Sequence, residues 1–270
     1  MPDKSLPSTK GLDPVESKRN KSVGSWRAHL NFALAVVRNR LSSAIVFEDD
    51  ADWDIEFKSQ LEYLAAGSRY LSTTPSSSKP HSPYGDDWDL LWPGHCGIGY
   101  HEQDHRRFVI DSDPAVPPPN HRVTFGNNPN MSAYDNSTRV VFRANGGVCV
   151  YSYALSYRGA QKLLYHESSK SEYIPFDLSL DGLCRHDPDF KCIGIFPQII
   201  DSHKAAGAVN RDSDIGEIKG SEQRKNGYTF NIVRSVRVNL SRLISGKGEE
   251  LKVQWNDQPA LEGPVTTRVE

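Results

Sequence analysis

The absences in this chain narrow its function first. No apolar run approaches the roughly 20 residues that span a bilayer, so no membrane span is expected. Neither sign of charge dominates: the formal net charge is −2 over 270 residues, and with no basic footprint no nucleic-acid partner is expected. Cys96, Cys149, Cys184 and Cys192 lack the paired short spacings of a zinc site; their even number permits one or two disulfides, with all full connectivities open. No internal repeat or shift of composition calls for a second core. The polar stretch from Met1 to Lys21 has no apolar signal segment, and residues 1–23 read as a loose N-terminal tail. Asn-x-Ser/Thr triplets at Asn20, Asn130, Asn136 and Asn239 are compatible with the secretory pathway, although a Ser-rich sequence yields such triplets by chance.

What is present is concentrated where Ala44-Ile45-Val46-Phe47 runs into Glu48-Asp49-Asp50. The apolar run reads as a buried strand and the three carboxylates lie at its mouth. In open α/β sheets ligands collect beyond the carboxyl ends of strands, so this cluster is positioned to hold a divalent cation and its anionic ligand. The plainer alternative is a solvated acidic loop.

Around it, helical and strand patterns alternate. Ser25 is placed to cap a helix carrying Trp26, Leu30, Leu34, Val37 and Leu41, and a second helix is expected from about Ile55 to Tyr70. Trp88–Trp92 reads as a strand stopped by Pro93-Gly94, with His95 on the loop after it. Residues from about 101 to 145 are polar and proline-rich, offer no core segment and read as a long loop. Val148–Leu155 reads as one strand, Ser156 as the cap of the next helix, Asp177 as the cap of another, and Cys192–Phe196 as a strand closed by Pro197. A last helix is expected within Asn231–Leu243, and residues 246–270 read as a loose C-terminal tail. The alternation argues for an α/β fold with a mainly parallel central sheet flanked by helices.

Several segments resemble a known family in order and spacing. These are Gly24-Ser25-Trp26-Arg27-Ala28-His29, the strand ending Glu48-Asp49-Asp50, and Asp87-Trp88-Asp89-Leu90-Leu91. Ala154-Leu155-Ser156-Tyr157-Arg158-Gly159-Ala160-Gln161-Lys162-Leu163-Leu164, Pro175-Phe176-Asp177 and Ser213-Asp214-Ile215 continue the set. Together they resemble glycosyltransferase family 25, the lipopolysaccharide-biosynthesis and procollagen galactosyltransferase group, and most closely its fungal branch. The family's opening strand has no counterpart before Gly24, and Ser25 and Ala28 stand where the family usually has Cys and Ser.

The resemblance implies a GT-A-type single Rossmann-like domain over residues 24–245. It implies transfer of a hexose, galactose by analogy, from a UDP-sugar to a hydroxyl of a glycan or glycoprotein acceptor in the Golgi lumen, with inversion and with Mn²⁺ (or Mg²⁺). Carried over by position, Asp50 becomes the direct metal ligand, Glu48 or Asp49 reaches ribose or a metal-bound water, and His203 is a further ligand. Asp177 or Asp181 becomes the base that takes the acceptor proton, with His95 and His29 as alternatives; His29 is expected mainly to fix its helix against the acidic loop. Gly159 is expected to allow close packing at a helix start. The rival readings are a catalytically inactive binding protein of the same fold, and a metal-dependent phosphohydrolase or nucleotidyltransferase.

Overall fold

The computed structural model describes residues 14–72, 80–212, 221–246, 250–260 and 263–270. In chain order the elements are α1 (Pro14–Arg38), β1 (Ser43–Phe47), β2 (Ala51–Trp53), α2 (Phe57–Leu71), β3 (Leu90–Gly94), β4 (Gly97–Tyr100) and β5 (Arg107–Asp111). They continue as β6 (Arg139–Val148), β7 (Ser152–Ser156), α3 (Tyr157–Ser168), α4 (Phe176–His186), β8 (Cys192–Phe196), β9 (Ile200–Lys204) and β10 (Gly207–Ala208). The last are β11 (Gln223–Arg224), β12 (Tyr228–Thr229), α5 (Val236–Ser245) and β13 (Thr266–Val269).

An eight-stranded sheet in the order β1-β7-β3-β8-β6-β5-β13, with β4 on β6, forms the centre. Its central strands bury both faces by alternation. Leu90, Trp92, Val140, Phe142, Tyr153 and Leu155 point into a core with Ala33 and Val36 of α1, Leu163 of α3 and Leu180 of α4. Leu91, Val141, Ala154, Ile193 and Ile195 point the other way, against Leu64 and Leu71 of α2. Ser156 caps α3 as its sequence position suggests, accepting the Gly159 N–H at 3.0 Å. Gly159 itself is required there: a Cβ would lie 2.0 Å from the Asp89 carbonyl oxygen.

The sheet corrects the expected parallel, Rossmann-like GT-A core. It is mixed and mostly antiparallel, with β3–β8 its parallel pair; β7 runs against both β1 and β3, and β6 against β8. Strand β1 is the sheet's edge, with Ile45 and Phe47 exposed, and not a buried strand.

Other expectations are corrected locally. The 101–145 stretch contains β5 and the start of β6, whose Val109, Ile110, Val140, Val141 and Phe142 are fully buried. The first helix runs through Ser25 and is not capped by it. Pro175 precedes α4, so Asp177 lies inside its first turn and caps nothing. The stretch read as one strand over Val148–Leu155 is the end of β6, a turn at 149–151 and β7. Strand β13 pairs with β5 across Thr266–Val269, so the end of the chain is tied to the sheet. Disulfides join Cys96 to Cys149 and Cys184 to Cys192. Residues 1–13 and the motif Ser213-Asp214-Ile215 lie outside the described residues.

Candidate functional site

Strands β1, β3 and β8 share a direction, so their carboxyl ends meet on one side, and the acidic loop lies there. Each of its three carboxylates has a different setting. Glu48 is half-buried, takes the Nε2 edge of His29 at 3.0 Å, and donates its N–H to the Tyr151 carbonyl at 3.0 Å. Asp49 is exposed, and its carbonyl accepts from Arg237 Nη2. Asp50 Oδ2 accepts the Ser202 hydroxyl at 2.6 Å, and Lys204 Nζ donates to that same hydroxyl at 2.8 Å. Its carbonyl accepts the His203 N–H at 2.8 Å, which ties the loop to β9.

His29 is buried and built in from three sides. Nδ1 meets the Tyr153 hydroxyl at 3.1 Å, Nε2 meets Glu48, and the ring stacks on Phe176 with centroids 4.3 Å apart. From α1, His29 therefore touches both the acidic loop and the start of α4. Next to Phe176, Asp177 Oδ2 accepts the Cys149 N–H at 3.2 Å, and Oδ1 accepts the N–H of Leu178. Glu48 and Asp177 thus hold two ends of the same 149–151 turn, which the Cys96–Cys149 disulfide anchors to the loop after β3.

Not all the expected residues converge. Asp181 lies one turn further along α4 with both oxygens engaged by Arg185 Nε, at 2.9 and 2.8 Å. The ring of His203 faces away from Asp50: Nδ1 is 2.8 Å from the Thr229 hydroxyl and 3.6 Å from Asp52, while Nε2 lies against Gly227. His95 is fully buried, hydrogen-bonds the Ile195 carbonyl at 3.0 Å and is pushed down to about 4 by burial, so it is a neutral core histidine.

Beneath the loop is a layer of buried polar groups that sequence reading missed. Burial raises the Asp52 carboxyl, but hydrogen bonds from His203, Ser235, Thr229 and the Arg237 N–H outweigh it and hold the group below its ordinary value. Asp201, paired across the ladder from Asp52, is pushed up to about 7 by burial despite donors from Asn231, Ser202 and Gln198. Arg237 of α5 reaches back to the carbonyls of Asp49 and Ala51. Ser202, Lys204 (through Ser202) and Arg237 therefore contact the candidate loop, and a signal existed for the first two in the polar run Asp201-Ser202-His203-Lys204 that follows Ile199-Ile200.

As a cation site, the loop fits in part. Asp50 has an oxygen without a hydrogen bond among the described residues, and hard divalent cations are commonly held by one or two carboxylates, with phosphates and water completing the shell. His203 does not fit as a ligand, since its ring is committed to Thr229 and Asp52. Among the described residues no group of three or more His, Cys, Asp or Glu is arranged to hold a metal alone. No protein-family model matches this chain, and no curated protein matches it.

Proposed function

We propose that this chain is a glycosyltransferase that moves a hexose from a UDP-sugar to a hydroxyl acceptor, with donor and acceptor meeting at the carboxyl ends of β1, β3 and β8. The observation that carries the reading is a shared support: the Glu48 main-chain N–H and the Asp177 carboxylate hold the same 149–151 turn, and His29 bridges the Glu48 carboxylate to Phe176. Displacement with inversion needs a base on one side of the sugar and stabilisation of the departing diphosphate on the other; a carboxylate suits the first role, and the acidic loop can serve the second only through a cation that it holds.

In the proposed reaction the acceptor oxygen forms a bond to the anomeric carbon as the bond to the UDP oxygen breaks, and UDP leaves with the electron pair. Asp177, in the first turn of α4, takes the acceptor proton. Asp50 would hold a divalent cation together with the diphosphate, and that ion would neutralise charge developing on the leaving group. Lys204, held to Asp50 through Ser202, adds a positive charge on the same side. Asp181 is left out of the chemistry because it is ion-paired with Arg185, whereas Asp177 is held by neutral backbone N–H groups.

Calorimetric titration of UDP into the chain, with and without Mn²⁺, tests the donor half without needing the acceptor. The expected result is Mn²⁺-dependent binding that Asp50→Ala abolishes, with the melting temperature of the variant little changed. Binding that survives Asp50→Ala would remove the acidic loop from the donor site. Asp177→Asn is expected to keep UDP binding and to lower donor hydrolysis or transfer by at least about a hundredfold, the usual contribution of a positioned base. Loss of UDP binding in that variant would make Asp177 a support of the 149–151 turn and nothing more.

A further inference from the structure

At the opposite end of the sheet, where β3 and β8 begin, a cavity of about 680 Å³ opens between the β4–β5 link and the segment leading into β8. Its carboxylates are already matched. Asp104 is clamped by Arg106 through two hydrogen bonds, Asp87 is paired with Lys191 and Arg158, and Glu270 is paired with Arg268 and receives the Tyr134 hydroxyl. Arg143, half-buried on β6, also lines the cavity. Among the described residues its guanidinium has no hydrogen bond and no ion pair within 4.0 Å; Asp104, Asp87 and Asp89 act on it only at longer range. Burial pushes its pKa down, the mark of a cation stripped of water without a partner in its place.

We propose that this cavity is a binding site for a small organic monocarboxylate, whose carboxylate oxygens pair with the Arg143 guanidinium. Buried or half-buried cations in native structures are normally satisfied, and a planar guanidinium is matched best by a two-oxygen acceptor. His101 stands ready as a second donor: its Nδ1 accepts the Gln103 N–H at 3.2 Å, which leaves the proton on Nε2. Because Asp87, Asp104 and Glu270 are balanced by Lys191, Arg106 and Arg268, the one uncompensated charge among the described residues of the cavity is that of Arg143, which a monoanion matches and a dianion such as phosphate exceeds. Leu71 and Pro188 give the wall against which an aliphatic body can lie. The site is separate from the acidic loop and does not depend on the transferase reading.

Hexanoate is a suitable probe, with hexylammonium and inorganic phosphate as controls, followed by two-dimensional amide NMR on the whole chain. Hexanoate is expected to shift the amides of Gln103–Arg106 and Arg143 saturably, and to bind at least about tenfold more weakly to Arg143→Gln, as expected when a charge-assisted pair is lost. The controls are expected to leave those amides unmoved. The site assignment is overturned if hexanoate moves no amide of this set, if phosphate binds there as well as hexanoate does, or if Arg143→Gln binds hexanoate as the parent does. Should Arg143→Gln fail to fold, Arg143→Lys keeps the charge but loses the planar fork, and undiminished binding in that variant also overturns it.

Discussion

The two ends of the central sheet treat their carboxylates differently. At the amino ends of β3 and β8, Asp89 is fully buried and satisfied three times over, by Arg158 Nε at 2.8 Å, Lys162 Nζ at 2.9 Å and the Lys191 N–H at 2.9 Å. At the carboxyl ends, Asp50 has one hydroxyl on one oxygen, and Asp49 is exposed. Charge whose bonding capacity is filled by the protein holds the fold; charge with spare capacity is open to a ligand. By this measure the acidic loop is open to a ligand, whereas the Asp87-Trp88-Asp89 and Tyr157-Arg158-Gly159 segments, which carry much of the family resemblance, belong to architecture.

The strongest way to break that contrast is at Asp89. Asp89→Ala strands three donors and is expected to cost about 3 kcal/mol in a urea titration, the lower end for a broken buried pair because Arg158 and Lys162 are partly exposed. A cost below 1 kcal/mol would mean that the pairing is not structural. Gly159→Ala probes the same joint sterically. With 2.0 Å to the Asp89 carbonyl the helix must back away, and a loss of about 2 kcal/mol is expected, with UDP binding unaffected.

A smaller effect sharpens the contrast through pH. Asp201 titrates near 7 in the folded chain against an ordinary value of 3.8, so over that interval the folded state holds the extra proton and stability falls as pH rises. His95 titrates near 4 against an ordinary 6.5, so over its interval the unfolded state holds the extra proton and stability rises with pH. The two slopes oppose each other across most of the same range. Asp201→Asn is expected to unmask the His95 slope, so that the urea midpoint climbs from pH 4.5 to 6.5 more steeply than in the parent; equal slopes in the two proteins would refute the assignment.

The sequence revealed what depends on local pattern. The acidic loop follows a strand as expected, α2 and α4 lie close to their predicted positions, and the Ser156 cap is present. Strand direction did not show, because apolar runs such as Leu90–Trp92 and Val140–Phe142 have the same appearance whichever way their neighbours run. Strands β5 and β6 were hidden by the prolines and polar residues around them. The partners of the site were out of reach for a different reason: Ser202 lies 152 positions from Asp50, and Arg237 lies 188 from Asp49, so only the folded chain brings them together.

The Cys96–Cys149 disulfide closes a 53-residue span, and Cys184–Cys192 one of 8. On chain-entropy grounds their loss costs about 4 and about 2 kcal/mol respectively. The longer tie also fastens the turn gripped by Glu48 and Asp177, so a thiol reductant reaches the site by loosening its frame, with no need to touch a carboxylate. Whether the surrounding medium is oxidising thus becomes a condition on the readiness of the site as well as on the survival of the fold.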